Sequence, residues 1–283
     1  MIRSYKRSLY LSLVLILMSL SCSCVINKKN AIQRAFTKSQ QHMGAGNYRE
    51  AINSYDAAYT RYPNETHARE NYIRTVEEIK TSADTAYDAK KYDLSEDIYS
   101  VLSKSFSKFK TFEKSLSFDK AYLDRKIKNC RIAQIEIQAQ NALAVGNFSG
   151  AIDIYKTSER SYPDDALLQE KFFETVSEIY QVAERAQADQ NYVIAGKVYS
   201  FLSKNFQILK RSITSLPFAE NSLKEGLRDC RSALTGKGLE QYRKGKLKEA
   251  ISIWEGILQF DPDNIEIKKA IENAKAQLKK IKK

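Results

Sequence analysis

Histidine, tryptophan, cysteine, proline and glycine are all scarce in this chain of 283 residues, with 2, 1, 4, 4 and 10 copies respectively. Histidine is the side chain most often used for proton transfer near neutral pH and for metal binding. His42 and His67 stand alone, in a hairpin helix and at a helix start, and read as ordinary surface or packing residues. HExxH, Gly-x-Ser-x-Gly and the glycine patterns of phosphate and dinucleotide loops are missing. No enzyme is expected, and no cofactor, metal or small-molecule substrate. The few glycines include no Gly/Ser linker, which excludes domains strung on flexible tethers. Long alternating valine-rich runs are also missing, which argues against sheet. With 43% hydrophobic and 28% charged residues, what remains is an all-α packed chain.

The one long apolar run lies at the start. "MIRSYKR" is cationic, "SLYLSLVLILMSL" apolar, and "SCSC" follows, the order of a secretory signal. The segment resembles a bacterial lipoprotein signal peptide, in which the cysteine at the cleavage point is acylated, usually with palmitate. That resemblance assigns residues 1–21 to the signal, Cys22 to lipidation and 22–30 to a lipidated tether. Ser19 stands where the motif has an aliphatic residue, so Cys24 is an alternative acceptor. Cleavage without lipid and an uncleaved anchor from Leu9 to Ile26 are further readings. Ser23 and Val25 follow the two cysteines, and neither is the aspartate that retains such proteins at the inner membrane. The resemblance therefore implies an exported protein, lipid-anchored at the outer membrane and facing the periplasm. The formal net charge is +12, and loss of Arg3, Lys6 and Arg7 with the signal leaves +9. This excess suits acidic partners, anionic polymer or lipid, and nucleic acid is not expected for an exported chain.

Self-alignment exposes a duplication. Gly46-Asn47, Ala51-Ile52, Tyr55 and Tyr62-Pro63 fall on Gly146-Asn147, Ala151-Ile152, Tyr155 and Tyr162-Pro163, an offset of 100 residues. The offset persists through Thr75-Val76, Tyr92, Tyr99-Ser100 and Phe118, and a third copy of the opening phrase begins at Gly245. Within the phrase, Tyr48, Ala51, Ile52, Tyr55, Ala58 and Tyr59 recur three or four apart, one face of a helix. The glycine ends the preceding helix with a left-handed turn, and the proline ends the phrase.

A helical hairpin with a small residue in its first helix, a Gly-x-aromatic turn, then Ala, a large aromatic and Pro resembles the tetratricopeptide repeat. Gly46, Tyr48, Ala51, Tyr55 and Pro63 carry the likeness in the first copy. Gly146, Phe148, Ala151, Tyr155 and Pro163 carry it in the second, and Gly238, Gly245, Ala250, Trp254 and Pro262 in the third. Two further copies, around Ala83-Tyr92-Tyr99 and Ala183-Tyr192-Tyr199, lack the turn glycine and closing proline but recur at the same offset. Five hairpins are expected, beginning near Ile32, Val76, Ile132, Val176 and Arg231. They divide into a two-hairpin module at 31–130, a second at 131–230, and a C-terminal hairpin with a basic terminal helix at 231–283. Irregular inserts are expected at 107–117 and 207–217, each followed by a long helix with Pro217 in its first turn. Cys130 and Cys230 read as small core residues.

The resemblance implies an α-solenoid whose first helices line a partner-binding groove. Their polar positions are Lys80, Asp84, Tyr87, Glu136, Gln140, Tyr180, Glu184, Gln187, Tyr242 and Arg243. The function implied is a non-catalytic protein–protein interaction scaffold at the bacterial envelope, assisting assembly of an envelope complex. The alternative is a structural protein that binds anionic polymer or lipid through its basic face, with "KKIKK" at Lys279, Lys280, Lys282 and Lys283 as a candidate contact.

Overall fold

The computed structural model describes residues 28–281. Cys22, Cys24 and the signal segment, with Lys282 and Lys283, lie outside the described residues. The fold is all-α, a tetratricopeptide-like solenoid of successive helical hairpins, with eleven α-helices and no strand among the described residues. The first hairpin pairs α1 (28–44) with α2 (Tyr48–Arg61), and the second α3 (Thr66–Asp88) with α4 (Tyr92–Ser105). The third pairs α5 (Lys120–Ala144) with α6 (Phe148–Glu159), and the fourth α7 (Ala166–Ala188) with α8 (Tyr192–Ser212). The fifth is α9 (Glu220–Arg243) with α10 (Leu247–Leu258), and α11 (Ile265–Ile281) follows.

All five hairpin turns close in the same way. The amide of the third residue after each first helix reaches back to a carbonyl five residues earlier: Asn47 to His42, Lys91 to Ala86, Asn147 to Ala142, Asn191 to Ala186 and Lys246 to Gln241, at 2.8–2.9 Å. This closure needs one residue at positive φ. Gly46, Gly146 and Gly245 supply it at +72° to +74°, while Lys90 and Gln190 are held there at +58°. The two copies that lack a turn glycine thus adopt the same turn with a side chain present.

Packing follows the same register. Seven residues before each turn residue stands a small buried side chain: Ser39, Ala83, Ala139, Ala183 and Gly238. Five residues after it stands Ala51, Ser95, Ala151, Ala195 or Ala250, all fully buried. These positions let the two helices of a hairpin approach closely. Both serines are satisfied, with Ser39 Oγ donating to the Ala51 carbonyl at 3.1 Å and Ser95 Oγ to the Ala83 carbonyl at 2.9 Å. Nine residues after each turn residue comes a buried ring: Tyr55, Tyr99, Tyr155, Tyr199 and Trp254. Gly238 is the tightest fit, since a β-carbon there would lie 2.2 Å from the Trp254 ring.

The described residues form two compact units, divided between Gln134 and Ile135, inside α5. The core of unit 1 is largely aromatic. Tyr55 stacks on Tyr72 at 5.7 Å between ring centres, and Phe109 and Phe112 meet Tyr72 edge-on at 5.9 and 5.0 Å. In unit 2, Tyr155 stacks on Phe172 at 4.9 Å. Cys130 and Cys230 are free and fully buried, one in each unit; burial raises the Cys230 thiol to about 11.

The two inserts differ from each other and from the expected pattern. The first is irregular, with 3-10 turns at Phe106–Phe109 and Glu113–Ser115. In the second, α8 runs on to Ser212, and only 213–219 is non-helical. "QILKRS" supplies good helix formers, with Phe206 and Leu209 buried at helical spacing. "SKFKTF" instead buries Phe109 and Phe112 together against Tyr72, and the chain turns there to do so. Pro217 is not in the first turn of α9; it precedes the N-cap residue Ala219, where a residue without an N–H breaks no helical bond.

Candidate functional site

In unit 1 the groove positions on α3 form a closed network. Lys80 Nζ lies 2.9 Å from Asp84 Oδ2, one helical turn on. Tyr99 donates its hydroxyl to the same carboxylate, Tyr122 donates to Oδ1 at 3.2 Å, and Lys126 Nζ approaches to 3.7 Å. Burial alone would raise the Asp84 pKa. The hydrogen bonds from Tyr99 and Lys80, with the Lys80 charge, outweigh it and hold the carboxyl below the usual aspartate range. Its partners respond in the opposite sense: burial and then the Asp84 bond raise Tyr99, and the Asp84 bond raises Lys80. Tyr87 joins through Lys126, which lies 5.1 Å from its ring centre, and Tyr87 also meets Tyr92 edge-on at 5.2 Å. Lys80, Asp84 and Tyr87 are therefore brought together, and each is half-buried.

The groove positions of unit 2 are arranged more loosely. Glu136 pairs with Lys171 at 3.4 Å, and Lys171 also binds Glu174 at 2.8 Å. Gln140 donates to Glu178 Oε2 at 3.0 Å. Above Gln140 and Glu178, a cavity of about 400 Å3 is lined by Leu143, Phe148, Val182 and Arg185. Tyr180 packs on Phe218 at 4.9 Å and on Tyr199 at 6.1 Å. Its hydroxyl pKa is raised by burial and next by the Glu184 charge. Glu184 is exposed and Gln187 half-buried on α7.

Tyr242 and Arg243 end α9. Tyr242 packs on Trp254 at 5.8 Å and lines a cavity of about 340 Å3 with Leu239 and Ile267 on its apolar side and Arg231 and Glu266 on its polar side. Arg243 is exposed. His42 is half-buried in α1, and His67 is exposed in α3, 3.6 Å from Glu70. Among the described residues no group of three or more His, Cys, Asp or Glu side chains is placed to hold a metal, and no helix is long and apolar enough to cross a membrane.

Sequence reasoning missed Tyr122 and Lys126 as members of the Asp84 network. They belong to α5, and Tyr122 lies 38 residues from Asp84, so no spacing rule connects them. Tyr99 carried a signal, as a recurring ring, but only for packing.

These surfaces carry half-buried tyrosines, amides and carboxylates on the first helices, with hollows of mixed polar and apolar lining beside them. Residues 36–102 match the tetratricopeptide repeat family. No curated protein matches the chain. Similar solved structures include a circular tandem repeat protein with novel repeat topology and enhanced subunit contact surfaces, at 12% identity and a TM-score of 0.24. That match covers 89% of this chain and 66% of the other, so the chain spans slightly less than two thirds of that structure's length.

Proposed function

We propose that this chain, of which residues 36–102 match the tetratricopeptide repeat family, is a non-catalytic scaffold whose first helices hold a segment of a protein partner at the bacterial envelope. The observation that carries this reading is the turn-and-packing register repeated in five successive hairpins. Stacked hairpins of this kind bury a shared core and leave long outward surfaces. Extended peptides are recognised on such surfaces through side-chain pockets and polar contacts. Unit 2 offers the more accessible groove, because Glu184 is exposed and the 400 Å3 hollow lies on the same helix α7.

The envelope part of the reading rests on the N-terminal segment. A lipid on Cys22, or on Cys24, would tether the chain to a membrane surface without embedding it, and the residues after both cysteines favour the outer membrane. Mass spectrometry of the mature N-terminus tests this directly; an unmodified first residue would remove the lipid anchor.

The scaffold is tested by capture of partners from detergent-solubilised membranes, with the wild-type chain and a Glu184→Arg variant. Glu184 is exposed, and an unchanged circular dichroism spectrum and unfolding midpoint would verify that the variant is folded. Loss of one stoichiometric partner supports the reading. An unchanged set of partners would sink the α7 surface as the binding face.

A further inference from the structure

We propose that the pocket beside the irregular insert of unit 1 binds an acidic segment of a protein partner. The cavity measures about 880 Å3, within the range of ligand sites, about 300–1,000 Å3. Arg69 of α3, Lys110 and Lys114 of the insert, and Arg125 of α5 line it, against two carboxylates, Glu113 and Asp119. One of those two is already engaged: Asp119 Oδ1 accepts the Tyr122 amide at 2.7 Å, at the start of α5. The nearby Glu77 takes the amide and hydroxyl of Ser117 at 2.5 and 2.6 Å. The Arg69 guanidinium donates to the neutral Ser115 hydroxyl at 3.2 Å, and the Arg125 guanidinium lies 5.6 Å from the centre of the Tyr122 ring. Among the described residues none of the four cations has an ion-pair partner.

Four cations on three separate segments, facing only two carboxylates in the same wall, suit several carboxylates spread along a chain better than a single small ion. The half-buried Leu116 and Tyr122 in the same wall offer apolar contact to the side chains between those carboxylates. That the ligand is a protein rests on the scaffold reading.

The duplication supplies an internal control. One hundred residues on, Arg69, Lys110, Lys114 and Arg125 correspond to Gln169, Lys210, Thr214 and Glu225. Only one of the four cations is kept, and one position carries the opposite charge. A hollow of unit 2 that includes the equivalent Gln169 and Ser212 is about 300 Å3, walled also by Glu159, Asp164 and Arg211. The basic pocket is thus a property of one module and not a by-product of the repeat.

The probe is fluorescein-labelled octaglutamate, titrated into the full chain at low salt and followed by anisotropy. Two variants carry the same change in net charge. Lys110→Glu/Lys114→Glu alters the pocket, and Lys204→Glu/Lys210→Glu alters exposed lysines of α8. The first should bind about tenfold more weakly than wild type and the second should change less than about twofold. Binding should also fall as salt rises.

Absence of wild-type binding, or equal losses in both variants, would overturn the proposal. Lys110- and Lys114-dependent binding of phosphatidylglycerol vesicles without octaglutamate binding would overturn it in favour of lipid. Neither variant touches α7. Capture of a partner that is lost with Glu184→Arg but kept with Lys110→Glu/Lys114→Glu, alongside failed octaglutamate binding, would therefore remove this pocket and leave the scaffold standing.

Discussion

At positions 59 and 112, unit 1 sets a tyrosine edge-on against a phenylalanine, with ring centres 5.9 Å apart; at the duplicated positions 159 and 212, unit 2 has a serine hydroxyl donating to a glutamate at 3.1 Å. The contact between the second helix and the insert is kept, while its chemistry changes from aromatic to polar. The path of the chain changes with it. Phe112 is fully buried against Tyr72, and α4 gives way to 3-10 turns at Phe106; Ser212 is the last residue of an uninterrupted α8. One ancestral module can thus preserve its hairpins and rebuild the insert. The rebuilt insert is where the basic pocket of unit 1 arises, since six residues of the irregular stretch from Lys110 to Ser115 line it.

The largest effect should come from breaking the aromatic contact. Phe112→Ser removes a buried ring and should cost about 3–5 kcal/mol, read from denaturant unfolding by circular dichroism. Adding Tyr59→Glu rebuilds the polar pair of unit 2, and the double variant should be about 1 kcal/mol more stable than the sum of the single effects. Strict additivity would mean that the two pairs are unrelated. Trp254 is the sole tryptophan and lies in unit 2, so its fluorescence transition should shift less than the circular dichroism signal if the damage is confined to unit 1.

Next in size is Gly238→Ala, which forces a β-carbon into the Trp254 ring and should cost about 1–3 kcal/mol. Gly236→Ala, two residues earlier and facing open space, should stabilise by up to about 1 kcal/mol through helix propensity. Equal effects at the two sites would refute the close approach.

The polar networks give a third contrast. Asp84 holds two tyrosines and two lysines of unit 1, whereas the equivalent Glu184 of unit 2 is exposed. Asp84→Asn should cost about 1–2 kcal/mol, and Glu184→Gln less than about 0.5 kcal/mol. Because the folded-state pKa of Asp84 is depressed, its stabilisation is complete above the unfolded value, about 3.9, and is lost as pH falls through the lower folded value. Wild type and Asp84→Asn should therefore converge in stability below about pH 4, measured by unfolding midpoints across an acid series.

The smallest effect concerns the turns. Lys90→Gly and Gln190→Gly relieve a side chain at positive φ and should each stabilise by about 0.5–1 kcal/mol, while Gly146→Ala should do the reverse. A loss at either Lys90 or Gln190 would mean that the side chain earns its place by a contact beyond the turn.

The hairpins are legible in the sequence because their determinants are local and repeated. Small residues, the turn residue and the large ring stand at constant spacing, and the duplication confirms even the copies that lack glycine. The inserts are less legible. Ser107 against Gln207 and Phe112 against Ser212 are modest local differences, and their consequence depends on whether Tyr72 or Phe172 waits on α3 or α7. The Asp84 network was half visible: Lys80 and Asp84 share a helix face at i and i+4, but Tyr122 and Lys126 reach it only after α5 has packed. Cation clustering at Arg69, Lys110, Lys114 and Arg125 is equally invisible in a linear reading, since three segments contribute.

The central claim, that the first helices are the partner-binding face, is tested most directly by photo-crosslinking in intact cells. A benzophenone amino acid placed at Thr85 of α3 or Glu184 of α7 is compared with one at Asp97 of α4 or Lys197 of α8, four exposed positions. Crosslinks to one discrete protein from Thr85 or Glu184, and not from Asp97 or Lys197, are the expected result. Crosslinks from the second helices alone, or no discrete product from any position, would contradict it.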